Sequence, residues 1–331
     1  MKRLVARFSP LARLGAAPCA RSSHGVSAVN GRLYVIGGEK TARTPIDTTV
    51  HYLPLAEGGE WKAIPHAESS PPARIAHAQA SVGNDIMLFG GRAGVQMGEA
   101  ALNDLWSFDT VSEAWRKVEA ASGETPCARS FHTATAVGER MYVFGGCGEA
   151  GRLADLHVFD VPTAAWRRLA DPPGVDGRGG ATLEASCDGR SLWLIGGFAG
   201  HETNDILRYD VASETWTRVP SGWLRPRSVS SSFCLGQSVF LFGGEVEPSD
   251  AGHEGAGGFA DDLISLDAAT GEPLPVVTLS AAPDGQAPSM PLARGWAKAT
   301  AVAPGQAVLF GGLTGDDVNP VRLDDAWLIS I

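Results

Sequence analysis

The sequence has little cysteine, no basic excess and no long apolar run, and each shortage removes a class of function. Its five cysteines, Cys19, Cys127, Cys147, Cys187 and Cys234, are odd in number and include no CxxC pair. That usage suits a reducing interior rather than a disulfide framework, so a cytoplasmic location is expected. The formal net charge of -10 leaves no broad basic face for nucleic acid or for an anionic membrane surface. No apolar stretch approaches the ~20 residues that cross a bilayer as a helix. Only four tyrosines are present, and Tyr34 and Tyr142 fall at equivalent strand positions, which argues against a copper site built from tyrosine and histidine. The repeated SxDxGxTW boxes of sialidase-type hydrolases are missing as well.

The apolar content of 44% and the 41 glycines belong to a chain that folds, and 331 residues suit either two ordinary domains or one large repeat array. Residues Met1 to Arg21 carry Lys2, Arg3, Arg7, Arg13 and Arg21 with no acid, a composition like that of a transit peptide. Pro10 and the scattered arginines interrupt any apolar signal core, however, and the repeat gives this segment a structural task.

An apolar run ending in Gly-Gly occurs six times: Leu33 to Gly38, Ile86 to Gly91, Met141 to Gly146, Leu192 to Gly197, Val239 to Gly244 and Ala307 to Gly312. The second glycines recur every 47–68 residues, bracketing the roughly 50-residue period of a propeller blade. A polar loop follows each pair, then an acid-led strand such as Asn103 to Asp109, Asp155 to Asp160 or Asn204 to Asp210, and then a Trp that opens a last strand: Trp61, Trp115, Trp166 and Trp216. Short strands of β-branched and aromatic residues bounded by Gly, Pro and Asp turns build four-stranded antiparallel sheets. A ring of such sheets leaves only short edges.

These motifs resemble the kelch signature over nearly the whole chain. The expected fold is therefore all-β, a single six-bladed kelch β-propeller with blades near 22–64, 75–118, 130–169, 178–219, 228–277 and 294–331. Blade 5 has Gly271-Glu272-Pro273 where a Trp is expected, and the chain ends at Ile331 without a fourth strand for blade 6. The N-terminus supplies that strand from within residues 4–14, since Arg21-Ser22-Ser23-His24 aligns with Arg129-Ser130-Phe131-His132, which follows a Trp-led last strand. The sequence leaves its register open.

With strands running outward from a central channel, the loops entering each first strand and those after each Gly-Gly share one rim. Glu39, Arg92, Cys147, Phe198, Glu245 and Leu313 follow the glycine pairs. Arg21, Arg74, Arg129, Arg178, Arg227 and Arg294 start the first strands, with Phe131 and Trp296 close behind. An arginine repeated in every blade is expected to serve inter-blade hydrogen bonding, and His24, His77 and His132, each three residues after such an arginine, are expected to be structural rather than a metal ring. Arg92 has no counterpart in other copies; a solvated surface arginine and an anion site are equally compatible with the sequence.

The loop after Gly244 is unlike the others. Glu245, Glu247, Asp250 and His253 fall within nine residues. Carboxylates with one imidazole suit a divalent first-row metal such as Fe(II) or Mn(II), while the lack of thiolates argues against closed structural zinc. A solvated acidic loop with a stray histidine is the alternative.

The chain also resembles the plant glucosinolate specifier proteins, namely the nitrile-specifier, epithiospecifier and thiocyanate-forming proteins. The likeness rests on Ala20 to Gly25, Phe89-Gly90-Gly91-Arg92, Ala128 to His132, Phe242 to Val246, His253 to Gly257 and Ala293-Arg294-Gly295-Trp296. It implies a ferrous site built by Glu, Asp and His in an ExxxDxxxH pattern, here Glu245, Asp250 and His253. The middle position departs from the pattern, because residue 249 is Ser and the acid comes one later. It further implies Arg92 against a sulfate group and Phe131 and Trp296 against an organic side chain, with Arg92 and Glu245 serving catalysis. The expected activity is a lyase-type conversion of a thiohydroximate O-sulfate, or a related sulfur or oxime compound, to a nitrile-type product with Fe(II) as cofactor. The expected partner is thus a small-molecule substrate, with neither nucleic acid nor membrane. The alternative is a non-catalytic interaction module that binds a protein partner or a second copy of itself; no BTB, F-box or coiled-coil pattern flanks the repeats to assist it.

Overall fold

A computed structural model of the chain describes residues 3–56, 58–94, 100–279 and 290–331. Six sheets of four or more strands follow one another round a central channel, and among the described residues no helix is long and apolar enough to cross a membrane. Blade 3 shows the plan: Thr133–Val137 lies innermost, followed outward by Arg140–Gly148, Gly151–Asp160 and Ala165–Arg168, all antiparallel. The second strand of every blade is the sequence run that precedes Gly-Gly, and it is buried on both faces because sheets pack against it from either side; Met141, Val143 and Phe144 are wholly buried.

The cores lie between blades. Phe89 of blade 2 meets Trp166 of blade 3 at 5.1 Å between ring centroids, and Phe310 of blade 6 meets Trp61 of blade 1 at 5.7 Å. Trp166 and Trp61 therefore each seal a blade onto its predecessor, with the aromatic before that predecessor's glycines as the partner.

The N-terminal strand Leu4–Pro10 closes the ring, pairing antiparallel with Pro320–Ser330 in a register that sets Phe8 opposite Ile329. One feature departs from the expected blade boundaries. Val276–Leu279, whose first two residues the sequence places at the end of blade 5, instead pairs parallel with Leu4–Pro10 and becomes a fifth, outermost strand of blade 6. Blade 5 is left with only Pro273–Leu274 as its last strand, since Pro273 has no amide to extend a ladder.

Two closed circles of backbone hydrogen bonds hold the blades together. In one, the amide of the second glycine of each pair donates to the carbonyl of the arginine that starts the next blade: Gly38 to Arg74, Gly91 to Arg129, Gly146 to Arg178, Gly197 to Arg227, Gly244 to Arg294 and Gly312 to Arg21, at 2.8–3.1 Å. The preceding glycine permits the approach, because a Cβ on Gly145 would stand 3.0 Å from the Arg178 carbonyl and the backbone there has φ of +62°. In the other, the residue two after each arginine donates to its equivalent in the preceding blade, so that Ser23, Ala76, Phe131, Gly180, Val229 and Trp296 form a ring at 2.7–3.1 Å around the channel mouth.

The arginine side chains act within their own blades, which corrects the inter-blade expectation. Arg129 forks onto Asp155 at 2.7 and 2.8 Å and also donates to the carbonyls of Gly145 and Cys127. It is the arginine carbonyl, not the guanidinium, that reaches the neighbouring blade. Arg74 with Asp104, Arg178 with Asp205, Arg227 with Asp262 and Arg294 with Asp325 repeat the ion pair. Blade 1 lacks it: Thr49 precedes its third strand, and Arg21 turns to the Gly37 carbonyl and the Cys19 sulfur instead. His24, His77 and His132 are buried between blades. His132 Nε2 lies 3.0 Å from the Phe89 carbonyl with its ring edge-on to Phe89. Burial, with the nearby arginine charge, holds all three imidazoles low, His77 at about 3, so they pack as neutral rings.

Candidate functional site

The rim pocket is assembled mostly from positions whose residue changes from blade to blade. Phe131 and Trp296 sit in the circle at the channel mouth with φ of 56° and 59°, a region large L-residues rarely adopt. The ring of amides holds them there. Their side chains meet edge to face, with centroids 5.5 Å apart. Both line a pocket of about 780 Å³, counting space open to solvent, together with Phe198, Val229 and Pro248 on the apolar side and Arg152, Ser228, Glu245 and Ser249 on the polar side. Glu245, Phe131 and Trp296 thus stand round one space, although they come from blades 5, 3 and 6.

Glu245 enters through the short pairing of Glu245–Glu247 with Gly258–Phe259, which lifts the intervening loop over the rim. Its backbone also bridges to Ser228, fixing the carboxylate beside the first strand of blade 5. Glu245 Oε1 accepts from the Ser249 amide at 3.3 Å and would be 2.6 Å from a Cβ on Gly257, so the loop folds closely around this carboxylate.

Position 249 is where this pocket differs from the implied ligand pattern. Ser249 lines the pocket, whereas Asp250 is exposed and is not among the lining residues. Asp317, from the loop after the glycines of blade 6, holds this turn: Ser249 Oγ donates to its Oδ1 and the Asp250 amide donates to its Oδ2 at 3.1 Å. The other loop acids are drawn away from the pocket, Glu247 to Arg225 at 3.0 Å and Glu254 to Arg43 at 3.5 Å. His253 lies in the turn Gly252–Glu254, but its side chain falls outside the described residues. Among the described residues no three His, Cys, Asp or Glu side chains gather closely enough to share an ion. Glu245 is the one carboxylate that lines this pocket among the described residues.

Arg92 is 1% exposed and does not line the pocket; its guanidinium lies 5.3 Å from the centre of the Phe131 ring. Burial lowers its pKa, and the charge of Glu39 opposes that lowering. Glu39 is itself fully buried and accepts from the hydroxyls of Ser22 and Ser23. Arg92 thus stands behind Phe131, with part of its charge answered by a carboxylate.

Three residues escape a reading by repeat position. Arg152 lines the pocket with its guanidinium 4.8 Å from the Phe198 ring centre, and it starts a third strand rather than following the glycines. Asp317 lies just beyond Gly315, in a loop that shows no special pattern by itself. Glu202 starts the third strand of blade 4, its Oε1 accepts from Ser228 Oγ at 3.2 Å, and its buried Oε2 has no hydrogen bond among the described residues. Burial pushes the Glu202 carboxyl up to about 8, the Ser228 hydrogen bond opposing and the charge of Glu245 adding to the rise. The Cys147 thiol in the pocket wall is also raised by burial, so it is a poor nucleophile at neutral pH.

Comparison with known proteins follows the same lines. Residues 23–244 match the family described as the KLHDC2/KLHL20/DRC7 Kelch-repeats domain. The chain is 29% identical over 283 residues to N-(sulfonatooxy)prop-2-enimidothioate sulfolyase of Thlaspi arvense, an alignment spanning 77% of this chain and 79% of that protein. It is 28% identical to human Kelch domain-containing protein 3 over 68% of this chain and 64% of that one. It is 31% identical to Adagio-like protein 1 of Oryza sativa subsp. japonica over 58% of this chain, but only 31% of the larger protein. Among solved structures, that of YjhT superposes with a TM-score of 0.71 at 17% identity, covering 96% of this chain and 97% of that one, and this likeness concerns the fold.

Proposed function

We propose that this chain, which belongs to the kelch-repeat domain family, is a nitrile-specifier-like lyase whose rim pocket takes a small anionic sulfur compound. The observation that carries this reading is the convergence of Glu245, Phe131 and Trp296 on one pocket, in a chain similar over most of its length to a sulfolyase. The substrate class is a thiohydroximate O-sulfate or a related sulfur or oxime compound, and the product is of the nitrile type.

In this proposal Phe131 and Trp296 clasp the organic side chain, each burying one ring face against it. Arg152 on the pocket wall pairs with the sulfate, and Arg92 adds positive potential from behind Phe131. Glu245 and His253 would hold Fe(II), which when bound supplies Lewis acidity and a template for the substrate's sulfur. Asp250 can join them only if the turn held by Asp317 opens. The apolar wall from Phe198 to Pro248 keeps water from the reacting group, which strengthens every charge interaction inside.

Metal analysis of protein purified without oxygen tests the reading. About one iron per chain is expected, and loss of it in Glu245→Ala and in His253→Ala. Iron retained in both variants, or nitrile formation that survives thorough chelation, would remove the proposed site. The similarity to Kelch domain-containing protein 3 favours a second reading, a protein-interaction module. A partner complex that forms equally well with the Glu245→Ala, His253→Ala double variant would support that one instead.

A further inference from the structure

Below the rim pocket the six innermost strands enclose a channel whose lining is polar and whose charges are few. The rim pocket and the channel mouth share Phe131, Gly180, Val229 and Trp296, so the crossed rings of Phe131 and Trp296 form the floor of one and the roof of the other. Deeper lies a cavity of about 550 Å³, counting space continuous with solvent, lined in part by Gln79, Thr182, Glu184, Ser232 and Lys298.

Glu184 comes from the innermost strand of blade 4 and Lys298 from that of blade 6. Ser232 of blade 5 donates its hydroxyl to Glu184 Oε2 at 2.7 Å. Among the described residues no carboxylate lies within ion-pair distance of Lys298, so Glu184 and Lys298 act on one another across the cavity. The other titratable groups around them are the imidazoles of His24, His77 and His132 from blades 1, 2 and 3, all held neutral, and the buried Cys234 thiol of blade 5, whose pKa burial raises. Burial lowers the pKa of the Lys298 ammonium and the charge of Glu184 opposes that lowering, so the two groups are linked across the cavity.

An ammonium in a poorly solvated channel needs a counter-charge, and two sources compete for that role. Glu184 can ionise, or a small anion can enter while Glu184 stays protonated and offers its O–H. The polar walls and the open space suit the second arrangement as well as the first. We infer that the channel is a proton-coupled binding site for a small oxyanion, of the carboxylate or sulfate class, held by the Lys298 ammonium and the Glu184 carboxylic acid. The site is separate from the rim pocket and does not depend on the function proposed for it.

Burial pushes the Glu184 carboxyl up to about 7, with the Ser232 hydrogen bond and the Lys298 charge pulling the other way. The protonated fraction then differs about tenfold between pH 6 and pH 8, and anion affinity follows it. Titration calorimetry of the full chain with sulfate and with acetate, in buffers of different ionisation heat, reads this directly. About tenfold tighter binding at pH 6 than at pH 8, with proton uptake on binding, is expected for either probe. Lys298→Met is expected to abolish the heat, and Glu184→Gln to bind with no pH dependence. Should Lys298→Met fail to fold, selenate soaked into crystals at pH 6 gives an anomalous peak beside Lys298 if the inference holds. No binding by the unaltered chain at pH 6, binding unchanged in Lys298→Met, a pH slope retained in Glu184→Gln, or selenate only at the rim would each overturn it.

Discussion

The arginine clamps and the rim pocket are built on the same loops yet follow opposite rules. Each clamp uses the same positions in blade after blade: an arginine before the first strand, the first glycine's carbonyl, and an Asp before or within the third strand. The pocket draws on positions that vary from blade to blade, Phe131 and Trp296 in the channel-mouth ring and Ser249 in the blade 5 loop, although Glu245 matches Glu39 of blade 1 and Arg152 matches Arg322 of blade 6. In a repeat protein, recurrence marks what every blade needs in order to close, and departure marks what one blade has been released to do. Substitutions in the two regions should therefore separate stability from activity.

The largest effect is expected at a clamp. Arg129→Ala removes the guanidinium from the Gly145 carbonyl and from Asp155, which keeps His157 as a partner, at a clamp whose side chains are 0% exposed at the arginine and 16% at the acid. A loss of about 3–5 kcal/mol in unfolding free energy is expected from denaturant titration. Glu245→Ala should cost less than about 1 kcal/mol while eliminating turnover. Equal destabilisation by the two would erase the distinction between the regions.

The pH dependence of stability sharpens the comparison. Burial works the other way, but hydrogen bonds hold Asp104, Asp155, Asp205 and Asp325 below the ordinary carboxylate range: from the clamp arginine at Asp104 and Asp325, from His157 and then Arg129 at Asp155, and from Arg218 and then Arg178 at Asp205. Their contribution is complete above pH about 4 and is lost as the pH falls through the folded-state values, so the clamps make the ring acid-labile. Glu184 runs the other way. With a folded value of about 7 against an ordinary 4.5, its contribution is full below pH 4.5 and declines as the pH rises to 7. Thermal melts of Glu184→Gln should be flatter than those of the parent between pH 4.5 and 7 and parallel to them below pH 4; an unchanged profile would contradict the raised carboxyl.

A smaller effect is expected at the turn held by Asp317. Ser249→Asp alone sets a second acid against Asp317, whereas Ser249→Asp with Asp317→Asn places a carboxylate in the pocket wall without that repulsion. Anaerobic Mn(II) titration of the double variant is expected to show about tenfold tighter binding than the parent. Binding no tighter than the parent's would mean that residue 249 does not face the ion.

Much of the ring was legible in the sequence. Six Gly-Gly runs and the acid-led strands after them fix blade number, because each marks a backbone that only one strand order satisfies. The closing strand followed from the aligned Arg-Ser-x-His segments at Arg21 and Arg129. The fifth strand of blade 6 was not legible: Val276–Leu279 pairs parallel, and no turn or spacing announces a parallel partner so distant along the chain. The arginines announced a structural role but not its direction, since a guanidinium and its own carbonyl serve different blades. At the rim, repeat position located Glu245, Phe131 and Trp296. It missed Arg152, Glu202 and Asp317, whose importance comes from which loop lies across the pocket rather than from any local pattern. Asp250 illustrates the converse, an acid near the right place in sequence whose turn is pinned by another blade.

The most direct test of the central claim is product analysis with a thiohydroximate O-sulfate generated in place, without oxygen, following sulfate and nitrile together. Nitrile in step with sulfate is expected when Fe(II) is supplied to the parent chain, and only the spontaneous product mixture with Glu245→Ala. Nitrile yields equal in the two, or equal to those without protein, would contradict it.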